Sequence, residues 1–246
     1  MIDFHSHILP GIDDGAKDIE DSKKIIKEAK NAGVEKIIST SHYALDCFEA
    51  PEYKRIELIE KLKEELEEGD PEIILGSEIF LTYNILELLQ EFKASTIAGT
   101  KYILFELPLR GYFNNLKDLL NKVKGSEYKL ILAHPERYGM VHSDFILLYE
   151  LKDLGVLMQC NYGSILGIYG MKAKSTVKRM LKEDLVDFFG TDVHKPDTIY
   201  PKLPKALKKI SKYVDEDRLD DLTLTRFLVR SRLDIAAIMT CCLFSV

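Results

Sequence analysis

The sequence predicts an α/β protein built as a distorted TIM-like barrel of seven βα units, (β/α)7, in a single domain. Three observations predict it. Seven short apolar runs alternate with helix-period segments over residues 1 to about 213, with no Ser/Gly-rich linker between them. The runs are apolar throughout rather than alternating, as in parallel strands covered on both faces. Five of the six histidines, with Glu78, Glu106 and Asp192, fall at or towards the C-terminal ends of these runs. On a flat sheet, strand ends ~4.8 Å apart would spread such groups over more than ~20 Å. Closing the sheet brings them to one rim.

The elements follow in order. Residues 2–7 are the first strand. Asp18 caps a helix with Ile19, Ser22, Ile25, Ile26, Ala29 and Ala32 on one face, and Gly33 stops it. Residues 34–40 are the second strand, ending at Ser41-His42. A charged helix from about Glu52 turns Ile56, Ile59, Leu62 and Leu66 inward. Residues 73–81 are a third strand with Glu78 embedded in it, and residues 85–92 a short amphipathic helix. Residues 102–107 are a fourth strand carrying Glu106. A helix marked by Leu116, Leu119, Leu120 and Val123 leads to a fifth strand, 129–133, which runs into His134-Pro135-Glu136-Arg137. A helix with Leu147, Leu148, Leu151 and Leu154 ends at Gly155. Residues 156–160 are the sixth strand and 161–170 a loop before a helix with Ala173, Val177, Met180 and Leu181. Residues 185–190 are the seventh strand, leading into Thr191-Asp192-Val193-His194. A last helix holds Leu207, Ile210 and Val214.

Composition narrows the function classes. A net charge of −6 and the lack of a basic stripe argue against a nucleic-acid partner. Asp3, His5 and His7 interrupt the start, so no signal peptide is expected. The longest apolar run near the end, 235–246, is too short to span a bilayer and contains Thr240 and Ser245, so no membrane insertion is expected. Cys47, Cys160, Cys241 and Cys242 have neither metal-ligand spacing nor a disulfide framework, which suits a reduced, cytoplasmic protein. No glycine-rich dinucleotide or P-loop motif follows any strand.

The metal-binding groups carry the argument. His5 and His7 are two apart on the first strand and so share a face. The loop Pro10-Gly11-Ile12-Asp13-Asp14-Gly15 follows at once with further carboxylates. His42 ends the second strand, Glu78 lies towards the end of the third, Glu106 of the fourth and His134 of the fifth, while Asp192 and His194 end the seventh. Of six histidines, only His142 lies elsewhere, in a loop. A lone His or Glu is usually an ordinary surface or core residue. Glu78 and Glu106 each interrupt an apolar strand, where a buried carboxylate needs a cation or a hydrogen-bond partner. His, Asp and Glu without Cys suit manganese, zinc, iron or magnesium. Nine candidate ligands suit two or three divalent ions bridged by carboxylates.

The stretches DFHSHILPGIDDGAKD, IISTSHY, GSEI, KYILFELP, ILAHPERY and GTDVHKP resemble, in order, the PHP (polymerase and histidinol phosphatase) family of metal-dependent phosphoesterases. More narrowly, they resemble its bacterial tyrosine-protein phosphatases of capsule and exopolysaccharide loci. Other PHP proteins commonly have a histidine where Asp14 stands. The resemblance covers residues 1 to about 207 and implies three divalent ions, manganese foremost. One would be held by His5, His7, Glu78 and Asp192. A second would share Glu78 and add Glu106 and His134, and a third would take Asp14, His42 and His194. Arg137 matches the phosphate-contacting arginine, and Arg137, Asp192 and His194 are the implied catalytic group. The family's second arginine, a few residues after the last His motif, is missing; Lys195 or Lys202 is the available substitute. From about Thr225 the chain departs from the family's usual ending, a short helix with an Asn-Pro or Asn-Ala start, so residues 1–224 are expected to form the phosphatase unit and 225–246 an atypical tail.

This resemblance implies hydrolysis of phosphotyrosine by a metal-activated hydroxide. Four carboxylates against three divalent ions leave the site net positive, which suits a phosphate dianion. The implied partner is the C-terminal tyrosine cluster of a bacterial tyrosine kinase controlling polysaccharide synthesis; oligomeric state stays open. Tyr43, Tyr83, Tyr112 and Tyr162 are candidate neighbours for the substrate ring. A thiol mechanism is excluded on pattern: six residues after Cys47 stands Tyr53, and six after Cys160 stands Leu166, where an arginine is required. Two alternatives remain at this point: a PHP-type phosphomonoesterase acting on a small substrate such as histidinol phosphate, and a non-catalytic regulator that binds phosphotyrosine or metal.

Overall fold

A computed structural model describes residues 1–223. The expected boundary at 224/225 and the tail beyond it therefore lie outside the described residues. Strand segments β1 (Ile2–Ser6), β2 (Lys36–Ser39), β3 (His42–Tyr43), β4 (Glu72–Leu75), β5 (Glu78–Phe80), β6 (Tyr102–Glu106), β7 (Lys129–Ala133), β8 (Leu157–Asn161) and β9 (Phe188–Gly190) alternate with helices. The helices are α1 (Ile19–Asn31), α2 (Glu52–Glu64), α3 (Ile85–Gln90), α4 (Leu116–Lys124), α5 (Gly139–Ser143), α6 (Ile146–Asp153), α7 (Tyr162–Leu166), α8 (Gly170–Lys182), α9 (Leu203–Ile210) and α10 (Glu216–Leu222).

All strand pairs are parallel, in the orders β1-β2-β4 and β3-β5-β6-β7-β8-β9. The sheet curls strongly, because the end of β1 also bonds to the chain just after β9: His7 N–H donates to Val193 O at 2.9 Å and Asp192 N–H to His5 O at 2.8 Å. Two apolar layers explain why the strands read as unbroken apolar runs. Ile103, Phe105, Leu130 and Leu132 pack outward under the helices. Leu104, Ile131 and Ala133, their alternate neighbours, join Ile2, Phe4, Ile38 and Phe188 in a second, inner cluster.

Several elements differ from expectation. The second and third strands are broken, into β2/β3 and β4/β5, rather than continuous. The expected inward Ile56 is exposed, and its neighbour Arg55 is buried on the same helix as Leu58, Ile59 and Leu62. These differences share one cause. Arg55 reaches both breaks, with Nη1 donating to Ser41 O at 2.7 Å and Ser77 Oγ at 2.9 Å, and Nη2 to His42 O at 2.8 Å. It satisfies the Ser41 and His42 carbonyls at the break, and takes the Ser77 hydroxyl as a further acceptor. Residues 161–170, expected as a loop, contain α7. His142 sits in α5, its Nε2 against Glu136 O at 2.8 Å.

β1 carries a bulge between Asp3 and Ser6, where His5 stands. Asp3 pairs with Ile37 and Ser6 with Ser39, so β1 holds one extra residue between these pairs. On strict alternation His5 and His7 would share a face with Asp3, opposite Ile2 and Phe4. The extra residue removes that constraint at the strand end.

Gly190 lies where β9 meets β1. A Cβ there would stand 2.6 Å from His5 Cβ and 3.1 Å from His5 N. Gly190→Ala is expected to destabilise the fold by about 1–3 kcal/mol, as overpacking against backbone does. Urea denaturation of the two proteins measures it.

Candidate metal centre

The nine predicted ligands come together at one end of the sheet. His5, His7, Glu78 and Asp192 present four donor atoms, all buried. His5 Nε2 lies 3.0 Å from His7 Nε2, 3.1 Å from Glu78 Oε2 and 3.6 Å from Asp192 Oδ1. His7 Nε2 lies 3.4 Å from each of the same two carboxylate oxygens. Around an ion held at about 2.1 Å, tetrahedral donors stand about 3.4 Å apart. The spacing therefore fits a cation without rearrangement. Asp192 Oδ1 is buried and has no hydrogen-bond partner, a second sign that a cation belongs there.

Two further groups flank this one. His7, Asp14, His42 and His194 form the more open side: Asp14 Oδ1 is 3.3 Å from His194 Nε2 and 3.5 Å from His42 Nε2. On the other side His42 Nδ1 lies 3.1 Å from both Glu78 Oε2 and Glu106 Oε1. His134 Nε2 is 2.8 Å from Glu78 Oε1 and 4.0 Å from Glu106 Oε2. The grouping differs from the implied one: His7 also joins the Asp14, His42 and His194 group, and His42 clusters with Glu78 and Glu106, with His134 close to Glu78 alone. His42 faces both flanking groups, through its two ring nitrogens.

Local structure explains how each group arrives. His42 and Glu78 are register partners on β3 and β5, immediately after the two breaks that Arg55 fills. His134 and Asp192, just past β7 and β9, adopt left-handed backbone conformations with φ of 34° and 53°. Non-glycine residues held there carry strain, which concentrates at sites that need a particular side-chain direction. Gly15 lets the PGIDDG loop fold back against His7, since a Cβ would meet His7 O at 2.2 Å.

A ring of supporting residues aims the ligands. His5 Nδ1 contacts Gln159 Oε1 at 2.8 Å and His7 Nδ1 contacts Asp13 Oδ2 at 2.9 Å. Donation from each Nδ1 leaves both Nε2 lone pairs facing the same point. Asp13 also accepts from Gly15 N and His42 N. Asp192 Oδ2 accepts from Asn161 Nδ2 and Arg137 Nη1, each at 2.6 Å, which leaves Oδ1 for the centre. Gln159, Asn161 and Arg55 were not read as site residues from the sequence. A signal is present for Gln159, which interrupts the apolar run of β8 as Glu78 interrupts its own strand; Asn161, at the end of that run, and Arg55, at the start of the buried stripe of α2, carry none.

Arg137 stands at the rim, its guanidinium 4.3 Å from the Tyr169 ring centroid. Of the tyrosines expected near the substrate, Tyr43 and Tyr162 are instead buried core residues, away from any substrate ring; Tyr162 stacks on Phe189. Tyr83 and Tyr112 are exposed. The aromatic neighbours the geometry supplies are Tyr169 and Phe48, which stacks on His42 at 5.8 Å. Lys195 and Lys202 are exposed, and no contact ties either to the centre among the described residues.

Charge is balanced locally. Burial opposes protonation of His5, yet Glu78 and Asp192 outweigh it and push the pKa up to about 9. His7 rises well above the ordinary imidazole value against the same burial, through Asp13, Asp192 and Glu78. Burial alone would raise Glu78 and Asp192, but the surrounding imidazoles hold both below the usual carboxylate range.

These features define a class: a PHP-type α/β protein with histidine–carboxylate clusters able to hold metal ions at its strand ends. The chain belongs to the capsular polysaccharide synthesis CpsB/CapC family, whose model matches residues 1–226. It is 32% identical over 230 residues to the tyrosine-protein phosphatase CpsB of Streptococcus agalactiae, covering 90% of this chain and 94% of the relative. It is 30% identical over 200 residues to the tyrosine-protein phosphatase YwqE of Bacillus subtilis, covering 80% and 79%. Among solved structures it matches one described as unique metal-dependent tyrosine phosphatases, YwqE from Bacillus subtilis and CpsB from Streptococcus pneumoniae. That match has a TM-score of 0.85 and 29% identity, covering 90% of this chain and 91% of the other. A histidinol phosphate phosphatase from Lactococcus lactis shares the fold, at TM-score 0.57 and 16% identity over 86% and 93% of the two chains.

Two outcomes follow for the centre. Asp13→Ala is expected to lower metal affinity about 10–100-fold by freeing the His7 ring, measured by calorimetric titration with manganese. The His5 value of about 9 exceeds the ordinary 6.5, so its contribution to apoprotein stability is complete below pH 6.5 and lost as pH rises through 9. Over that interval a cation displaces fewer protons and binds more tightly. Melting temperature of the chelated protein should fall between those limits while manganese affinity rises.

Proposed function

We propose that this chain is a metal-dependent phosphotyrosine-protein phosphatase of capsular or exopolysaccharide synthesis. The observation that carries the reading is the convergence of His5, His7, Glu78 and Asp192 at cation spacing, in a family whose named relatives are tyrosine-protein phosphatases. In this reading His5, His7, Glu78 and Asp192 hold one ion. Glu78, Glu106 and His134 hold a second, and Asp14, His42 and His194 a third, with His42 shared between the flanking positions. Manganese is the proposed occupant, one of the ions, with zinc, iron and magnesium, that donors without thiolate suit. The ions supply, when bound, a nucleophile at neutral pH and positive charge against the phosphate.

The remaining work falls to the chain's own side chains. Arg137 is held by Asp192 through Nη1 and stacked over Tyr169, so its guanidinium is oriented before substrate arrives. It offers the phosphoryl oxygens hydrogen-bond donors whose effect strengthens as charge develops. Tyrosinate is a good leaving group and makes little demand on a general acid. Exposed Tyr83 and Tyr112 lie on the chain following β5 and β6, where they can meet a phosphotyrosyl peptide. The substrate in this reading is the tyrosine-rich C-terminal tail of a bacterial kinase, and the location is the cytoplasm. Unbridged Cys47 and Cys160 suit that compartment. The same reading includes a sheet that closes as a distorted seven-stranded barrel in one domain of residues 1–224. The bonds from β1 to residues 191–193 support closure.

Hydrolysis of a phosphotyrosine peptide should vanish with EDTA and return with manganese; chelator-insensitive turnover would overturn the mechanism. Turnover on the peptide should also exceed turnover on histidinol phosphate, and the reverse order would move the assignment to a small-molecule phosphomonoesterase. Arg137→Ala should reduce kcat about 10²–10³-fold at saturating manganese, with bound manganese, measured by elemental analysis at that concentration, still present.

A further inference from the structure

The face shared by α8 and α9 carries charge of one sign. Residues 170–182 hold Lys172, Lys174, Lys178, Arg179 and Lys182, residues 202–212 hold five more lysines, and neither stretch has an Asp or Glu, in a chain of net charge −6. The sequence alone shows no continuous basic stripe; folding assembles one from two separate helices. Met171, Lys174, Lys178 and Lys182 follow the three-and-four spacing of one helix face, and so do Lys205, Lys209 and Lys212. Both helices pack against α7. The Lys174 stem lies over Gly167, just past α7, at 3.3 Å from where a Cβ would be. Lys209 is held below the ordinary lysine range by partial desolvation and by the fields of Lys174, Lys205, Lys178 and Lys212. Among the described residues, the one ion pair made by these ten cations joins Arg179 to Glu183. The others repel one another, which costs stability unless an outside anion offsets it.

The turn into α8 adds a second, independent feature. Ile168 is 49% exposed and Met171 73% exposed, side by side with the lysine stripe. Between them in sequence is Tyr169, the ring beneath Arg137.

We propose that the α8–α9 face docks this protein on an anionic phospholipid surface, with its lysines over the headgroups and Ile168 and Met171 entering the interface. Cations flanking exposed apolar side chains are the composition of a peripheral membrane face. Nine of the ten cations are lysine, a point charge suited to a diffuse headgroup field; recognition of discrete phosphates or carboxylates favours the forked arginine. A second copy of the chain is a poor occupant, because two such faces repel.

The test is co-sedimentation of the full chain with phosphatidylcholine vesicles, with and without phosphatidylglycerol. The wild type is expected to bind the anionic vesicles alone and to release them as salt rises. Each lysine near such a surface multiplies partition by about fivefold. The variant carrying Lys174→Glu, Lys178→Glu, Lys205→Glu and Lys209→Glu should therefore lose more than about tenfold, with an unchanged circular dichroism spectrum and melting temperature. Met171→Asp, a surface change that leaves the lysines in place, should also weaken binding. Equal sedimentation with neutral and anionic vesicles would overturn the proposal. So would undiminished binding by both variants, or tight binding to duplex DNA or polyglutamate with none to vesicles.

Discussion

Glu78 is fully buried, and its two carboxylate oxygens are met by imidazole nitrogens of His5, His7, His42 and His134 within 3.4 Å. A carboxylate in that position is tolerable only if positive charge surrounds it. The need is mutual, because the same burial opposes charge on the imidazoles. Protons shared over the cluster meet the need in one state, and divalent ions meet it in another. The architecture of the rim, with groups drawn from nearly every strand, follows from keeping this one carboxylate compensated.

Holding the cluster in place takes polar groups deep in the fold. Asp3 accepts from Thr191 N and from the Tyr200 hydroxyl, tying the start of β1 to the chain after β9. Glu136 accepts from Asn161 N and Ser164 Oγ, tying the turn after β7 to the end of β8. Arg55 bridges the two broken strands behind His42 and Glu78. Each tie spans neighbouring strand ends, so the donor atoms keep their separations without depending on the loops alone. Such buried networks are costly when half satisfied and stiff when complete.

The working face and the basic face meet near Tyr169. Its ring supports Arg137 on one side of the chain, while Ile168 and Met171 flank it in the turn that opens α8. Two regions of opposite character thus adjoin: carboxylates and imidazoles line the strand-end mouth, and lysines without acids line α8 and α9.

Much of this was legible from residue order. The apolar runs are covered on both faces, as Leu104 between Ile103 and Phe105 illustrates, so they stand out by composition alone. Glu78 and Glu106 were conspicuous as acids in such runs, and His5-x-His7 as a pair on one strand. The helix carrying Ile56 was misjudged by one position, because periodicity assigns a buried stripe to apolar residues and cannot foresee a guanidinium satisfied by carbonyls of two distant strands. Tyr43 and Tyr162 were misplaced for a related reason: an aromatic ring has both an apolar body and a polar tip, and only its surroundings choose between core and rim.

Sequence by itself determined which residues could bind metal, on which strand ends they stand, and that parallel strands would present them together, since those properties depend on side-chain chemistry and short-range period. Tertiary structure alone decided the partition of the donors and the sharing of His42 between two groups. It also decided the bulge at His5, and the assembly of one basic face from α8 and α9. These depend on distances between atoms far apart along the chain, which strand curvature and packing set and local spacing does not encode.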